Sequence, residues 1–292
     1  MKKHLRTIAL FAAFIAGFAL PQAARLSFLI SWVVMGMMFF ALLRIDLGKI
    51  RLQKEHFYIL ALNLASGLGF FYLTGWLCRD PALAQAAFFA GISPTATAAA
   101  VVMTLLGGRA EFVLGSMLLT TLAAALLSPL LIPLTTGNAG GDIFLHVAGS
   151  MCFVLLIPAA AVLIFKKRIN FPRLVSAAPD CAFSLWILGI FLIISKTTAL
   201  LSGRNESGTI IVLAAGISLL NCIFNFVSGR LISRKLPREC SQSLGQKNTS
   251  LTVYLALSYG EPGAVLGPAF YVVWHNSWNA IQLWMRNRKN HD

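Results

Sequence analysis

Ser241-Gln242-Ser243-Leu244-Gly245-Gln246-Lys247-Asn248-Thr249-Ser250 is a polar run inside a stretch, 239–258, that otherwise reads as a membrane-crossing helix. A second interruption, Gly91-Ile92-Ser93-Pro94-Thr95-Ala96-Thr97, falls inside the apolar stretch 82–105. Pro94 removes a backbone donor and Gly245 weakens helical propensity, so both are read as helix-breaking positions. Where a helix breaks at membrane depth, the freed amides and carbonyls are tolerated only within protein or around a wet cavity. Each signal alone also fits a kinked helix or a loop. Two broken helices at matching positions are the sequence pattern of a midplane binding site.

The rest of the chain supports that setting. Apolar residues make up 58% of the 292, charged residues 12%, and the mean hydropathy is +0.76. Soluble domains carry about twice that charged fraction. Apolar runs long enough for roughly 30 Å of hydrocarbon recur. They are placed at 7–20, 26–43, 56–77, 82–105, 111–135, 143–165, 177–196, 207–229, 239–258 and 263–285. In lipid these runs must be helices, since backbone groups have to be satisfied within each segment. The expectation is an all-α membrane protein of ten transmembrane helices. The five cysteines (78, 152, 181, 222 and 240) show neither a disulfide framework nor metal-ligand spacing.

Charge orients the chain. With the N-terminus inside, nineteen of the 24 Lys and Arg fall on the cytoplasmic side, in clusters at 2–6, 44–54, 109, 166–173, 230–238 and 286–289. Arg25, Arg79, Lys196 and Arg204 fall outside, and Lys247 lies within a span. That asymmetry puts both termini in the cytoplasm. The net charge of +14 has no basic face or tail behind it, which argues against nucleic acid. Ten helices divide into two five-helix halves, 1–136 and 143–292. Five is odd, so the halves enter the membrane in opposite senses, as inverted repeats do. Lys2, Lys3 and Arg6 ahead of an apolar stretch also describe a signal peptide. A retained first helix keeps the two halves equal.

Gly245-Gln246-Lys247-Asn248-Thr249-Ser250-Leu251, then Pro262 and Val273-Trp274-His275-Asn276, resembles the closing region of the bile acid:sodium symporter family. Pro94-Thr95-Ala96-Thr97-Ala98-Ala99-Ala100 and Ser128-Pro129-Leu130-Leu131 with Pro133 sit where that family has comparable motifs in its fourth and fifth helices. The resemblance implies a panel of helices 1, 2, 6 and 7 and a core of helices 3, 4, 5, 8, 9 and 10, with broken helices 4 and 9 crossing at its centre. It also implies a bacterial inner (cytoplasmic) membrane protein that transports by alternating access.

The departures matter more. The family's sodium sites resemble a cage of side-chain oxygens. Here Ser243 occupies the position of its ninth-helix Glu, Lys247 that of its Gln, and Ala99 and Ala100 those of its Ser-Asn pair. Thr121 and Asn63 are the remaining matches. All ten acidic residues lie at or near helix ends. Lys247 is therefore expected to replace the sodium ion, held by carbonyls of the broken helix and by hydroxyls such as those of Ser243 or Thr97. An intramembrane Lys is costly and marks a functional site by default. Snorkelling to an interface is the bland alternative. Two mechanisms follow: a permanent charge gives sodium-independent transport, or the lysine exchanges a proton and proton coupling replaces sodium coupling.

Half-helix N-termini and a lysine favour an anionic substrate, a small carboxylate such as a keto or hydroxy acid. Thr97, Asn248, Thr249, His275 and Asn276 are the groups carried over from the crossing and Trp-His-Asn motifs to surround it. His275 is as readily a packing histidine. No HExxH or intramembrane aspartate pair points to an enzyme, and no cofactor or metal is expected. The partners are the substrate and the bilayer. Sodium-coupled symport and a non-transporting sensor remain open alternatives.

Overall fold

The computed structural model describes residues 9, 12–13, 15–43, 50–137, 145, 148–149, 152–168, 171–202 and 208–289. Along them a 3₁₀ turn (Pro21–Leu26) precedes α1 (Leu29–Leu43), α2 (Lys54–Cys78), α3 (Pro81–Ile92), α4 (Thr97–Leu105) and α5 (Ala110–Thr136). A π-helical turn (Cys152–Leu156) then leads into α6 (Ile157–Arg168), α7 (Phe171–Ser202) and α8 (Gly208–Ile232). After these come α9 (Pro237–Gly245), α10 (Thr249–Tyr259), a 3₁₀ turn (Pro262–Val265) and α11 (Leu266–Lys289). The basic residues Lys2, Lys3, Arg6, Arg44, Lys49 and Arg204, the acids Asp46, Asp142, Glu206 and Asp292, and the 138–144 junction between the expected halves lie outside the described residues.

Among the described residues four helical stretches are long and apolar enough to cross a membrane: 54–78, 110–136, 174–196 and 208–232, with mean hydropathies of 1.5, 2.0, 2.0 and 2.3. Their outer faces carry large exposed side chains such as Trp76, Leu134 and Leu231, each at least 75% exposed. In hydrocarbon such faces need no partner. Several helices depart from the expected spans. The helix expected at 177–196 is α7, which extends beyond both ends, and the one expected from 263 opens as a 3₁₀ turn before α11. Hydropathy reports only the stretch that lipid would solvate, whereas backbone hydrogen bonds carry a helix into the polar interface.

The chain forms two units. One joins 1–45 with 145–206. In it α1 packs on α6 and α7, and Leu43, Val162 and Ala178 make a small buried cluster. The other joins 46–144 with 207–292. There α2 packs on α3, α5 and α8, while α3 is covered by α8, α10 and α11.

Local chemistry sets the frame of this second unit. Helix α2 opens on Gln53, whose backbone N–H donates to His56 Nδ1 at 2.9 Å; His56 Nε2 reaches Phe112 O on α5 at 3.0 Å. That makes the Nε2–H tautomer the one that fits both contacts. The helix ends at Arg79, in a left-handed conformation (φ 52°) with its N–H on Gly75 O. Asp80 then caps α3, accepting from Leu83 N at 2.9 Å ahead of Pro81. Helices α2 and α3 approach so closely that a Cβ on Gly91 would stand 2.7 Å from Gly67 Cα. Glycine at both positions permits that contact.

Candidate functional site

Helix α3 stops at Ile92 and α4 starts at Thr97; α9 stops at Gly245 and α10 starts at Thr249. The extended segments between them pair antiparallel, with Thr95 opposite Lys247. Ala96 N donates to Gln246 O at 2.8 Å and Asn248 N to Pro94 O at 2.7 Å. The two breaks thus satisfy each other, answering the demand that freed backbone groups find partners. Further side chains complete the account. Thr95 donates its hydroxyl to Ser243 O at 2.6 Å and its N–H to Thr120 Oγ1 at 3.0 Å. Ser93 and Thr252 join their hydroxyls at 2.5 Å. Tyr271 OH donates to Gly245 O at 2.9 Å.

Lys247 lies within this crossing at 1% exposure. Its Nζ donates to Asn63 Oδ1 on α2 and, at 2.9 Å, to Gly91 O at the end of α3. Asn63 is held in place by its own Nδ2, which donates to Ile92 O at 3.0 Å. Both acceptors are neutral oxygens, and two acceptors serve three N–H donors. Among the described residues no carboxylate faces the ammonium, and a buried charge without a counter-charge is costly.

The residues singled out in the sequence divide into two groups. Ser243, Lys247, Asn248 and Thr249 are buried together at the crossing, with Pro94 in the facing break. Ser243 does not hold the ammonium: its hydroxyl is buried with no hydrogen-bond partner, and Asn63 takes that place. The Ser243 backbone carbonyl instead accepts from the Thr95 hydroxyl at 2.6 Å. Thr97 opens α4, and its side chain lies outside the described residues. Gly245 serves packing as much as breaking, because a Cβ there would meet the Phe226 ring at 2.4 Å. His275 and Asn276 sit on α11. His275 is 3% exposed, its Nδ1 has no partner, and its ring meets Tyr271 edge-on at 5.6 Å. Asn276 donates to Val272 O of its own helix at 2.8 Å. Neither hydrogen-bonds to the crossing among the described residues.

Sequence reasoning passed over a set of polar residues that fasten the broken helices to their neighbours. Asn221 Nδ2 donates to Ala87 O at 3.2 Å, Ser66 Oγ to Gly91 O at 3.2 Å, and Ser241 Oγ to Phe226 O at 2.7 Å. Gln242 Nε2 bridges Gln246 Oε1 and Asn279 Oδ1. Glu239, 8% exposed, accepts from Arg109 N at 3.1 Å and so tethers the start of α9 to the start of α5. The signal available was an amide or hydroxyl side chain inside an apolar span, where an unsatisfied polar group is expensive.

No family model matches the chain. Over 208 residues it is 25% identical to an uncharacterized sodium-dependent transporter, YocS, of Bacillus subtilis (strain 168). The match covers 66% of this chain and 61% of that protein, so the chain spans less than two thirds of the length of the curated relative it matches. With four helices of membrane length and a pair of interrupted helices besides, it is an all-helical, multi-pass membrane protein similar to a bacterial transporter.

Proposed function

We propose that this chain is a secondary active transporter of a small organic anion, a carboxylate, working by alternating access with Lys247 in place of a sodium ion. The observation that carries the reading is the buried Lys247 ammonium between two interrupted helices, held by Asn63 and Gly91 O with no carboxylate partner among the described residues. A fixed positive charge at the crossing does what a bound monovalent cation would do. It ties the end of α3 to α2 and gives an anionic substrate an attractive potential. Thr249 at the start of α10 and Thr97 at the start of α4, with the neighbouring Asn248 side chain, are the groups assigned to the carboxylate, because the positive end of a helix dipole favours an anion. His275 and Asn276 are assigned to the rest of the substrate.

On this reading residues 1–136 and 143–292 are inverted five-helix repeats. The unit of 1–45 and 145–206 is the panel, and that of 46–144 and 207–292 the core. The two-unit division, the matched interruptions and the resemblance to the bile acid:sodium symporter family support it. A second reading, sodium-coupled symport, is favoured by the relative's sodium-dependent name.

Melting of the purified protein in sodium against choline, for wild type and Lys247→Gln, separates the two. An ion that binds only the folded state raises the melting temperature by mass action. The expectation is no sodium effect on wild type and a lower melting point for the variant. A clear sodium-dependent rise in wild type returns sodium symport to first place. Uptake of labelled 2-keto and 2-hydroxy acids by proteoliposomes then tests the substrate class.

A further inference from the structure

Two cavities lie along the seam between α2 and α5. The outer, of about 350 Å³, is lined by Phe71, Gly75, Arg79, Asp80 and Thr135 among others, beside the turn that joins α2 to α3. The inner, of about 10 Å³, is bounded by Asn63, Leu64, Thr120, Ala124, Ser128 and Leu131 among others. That is room for about one water molecule. The lining residues follow one stripe on each helix: 60, 63, 64, 71 and 75 on α2, and 120, 123, 124, 127, 128, 131 and 135 on α5. Apart from adjacent pairs such as 63 and 64, those are helical spacings of three, four and seven, so both cavities sit on the same face of each helix. Leu131 lines the inner cavity and Thr135 the outer. One turn, about 6 Å of axial rise, separates them on α5. On α2 residues 65–70 intervene, and Gly67 among them packs on α3, where a Cβ would come within 3.0 Å of Ile92.

Among the residues lining the inner cavity is Asn63, whose Oδ1 accepts from the Lys247 ammonium. That ammonium has three donors and two protein acceptors, an independent sign that a water belongs beside it. We infer that the α2–α5 seam is a one-sided water route to Lys247, entered at the Arg79–Asp80 turn, gated at Leu131 and ending at Asn63. The route hydrates the buried cation from a single face of the membrane and is lined by residues other than those assigned to the substrate. The inner cavity, at about 10 Å³, admits water and ions of similar size. The inference rests on the reading of Lys247 as the resident cation, but its test does not use transport.

The test places single cysteines in the full-length protein after its five native cysteines are replaced by serine. Ser128→Cys and Thr135→Cys are near-isosteric probes of the inner and outer cavities. Leu126→Cys, whose leucine is 67% exposed on the apolar surface of α5, is the lipid-facing control. Vesicles of each orientation are exposed to silver ion in nitrate buffer, and the thiols left unreacted are alkylated after denaturation and counted by mass spectrometry. Silver ion is small and hydrophilic, so it reports thiols that face water. The expected result is protection at both Thr135→Cys and Ser128→Cys from one face only, none at Leu126→Cys, and loss of the Ser128→Cys reaction when Leu131→Trp is added. Melting curves establish that each variant is folded. Reaction at Thr135→Cys without reaction at Ser128→Cys overturns the route. So does equal reaction from both faces, or reaction at Ser128→Cys that Leu131→Trp leaves unchanged. A failed route with Lys247 insensitive to sodium leaves the transporter reading standing. A working route with a sodium-stabilised wild type removes that reading and keeps the seam.

Discussion

Asn63→Leu keeps the number and branching of the side-chain heavy atoms and removes both polar ones, so it tests what the amide does for Lys247, at the cost of a somewhat bulkier side chain. The substitution deletes the acceptor of one ammonium hydrogen bond and the donor to Ile92 O, itself 3.0 Å away in a buried site. A hydrogen bond to a charged group is worth about 1.5–3 kcal/mol, and a stranded buried carbonyl costs about 1–3 kcal/mol. The sum is about 2.5–6 kcal/mol, or a fall in melting temperature on the order of 10 °C at roughly 2–4 °C per kcal/mol. Lys247→Met measures the other side of the pair. Gly91 O keeps Ser66 as a donor at 3.2 Å, so the carbonyl is not stranded by that change. The double variant loses the buried charge together with its acceptor. It should therefore be more stable than the two single losses predict, by about 1.5–3 kcal/mol. Melting of all four proteins in one detergent supplies the cycle. Additivity within about 0.5 kcal/mol would refute the claim that Asn63 and Lys247 act as a pair.

Two further outcomes follow from the same geometry. Gly91→Ala sets a methyl group 2.7 Å from Gly67 Cα and 2.8 Å from Gly67 N, backbone atoms that cannot swing aside. A loss of about 1–3 kcal/mol is expected, and an unchanged melting point would mean that α2 and α3 are less closely apposed. Glu239→Ala strands Arg109 N at the start of α5, for about 1–3 kcal/mol, whereas Glu239→Gln keeps an acceptor and forfeits only charge, about 0.3–1 kcal/mol. Equal losses in the two variants would show that the hydrogen bond is not what ties α9 to α5.

Pro94 and the Gly245–Asn248 run marked where the chain leaves helix, because a missing N–H and a flexible, polar backbone act within one turn of themselves. The apolar character of 54–78, 110–136 and 208–232 was equally plain, being a sum over neighbours. Asn63 was legible only as an amide in an apolar run. Its bond to Lys247 spans 184 positions, and no local pattern carries that information. Ser243 misled for the related reason that a residue's place in a motif does not say which way its hydroxyl turns.

By itself, then, the sequence determined that the chain is a membrane protein, that two of its helices are interrupted, and that a lysine stands in one interruption. These follow from hydropathy and from Pro and Gly backbone chemistry, which act over a few residues. Only the tertiary structure decided that the interruptions pair through Thr95 and Lys247, that Asn63 and Gly91 receive the ammonium, and that a stripe of α5 meets a stripe of α2 beside it. Those outcomes depend on sub-ångström approach between segments distant in sequence. Hydrogen bonding is sensitive to such distances and composition is not.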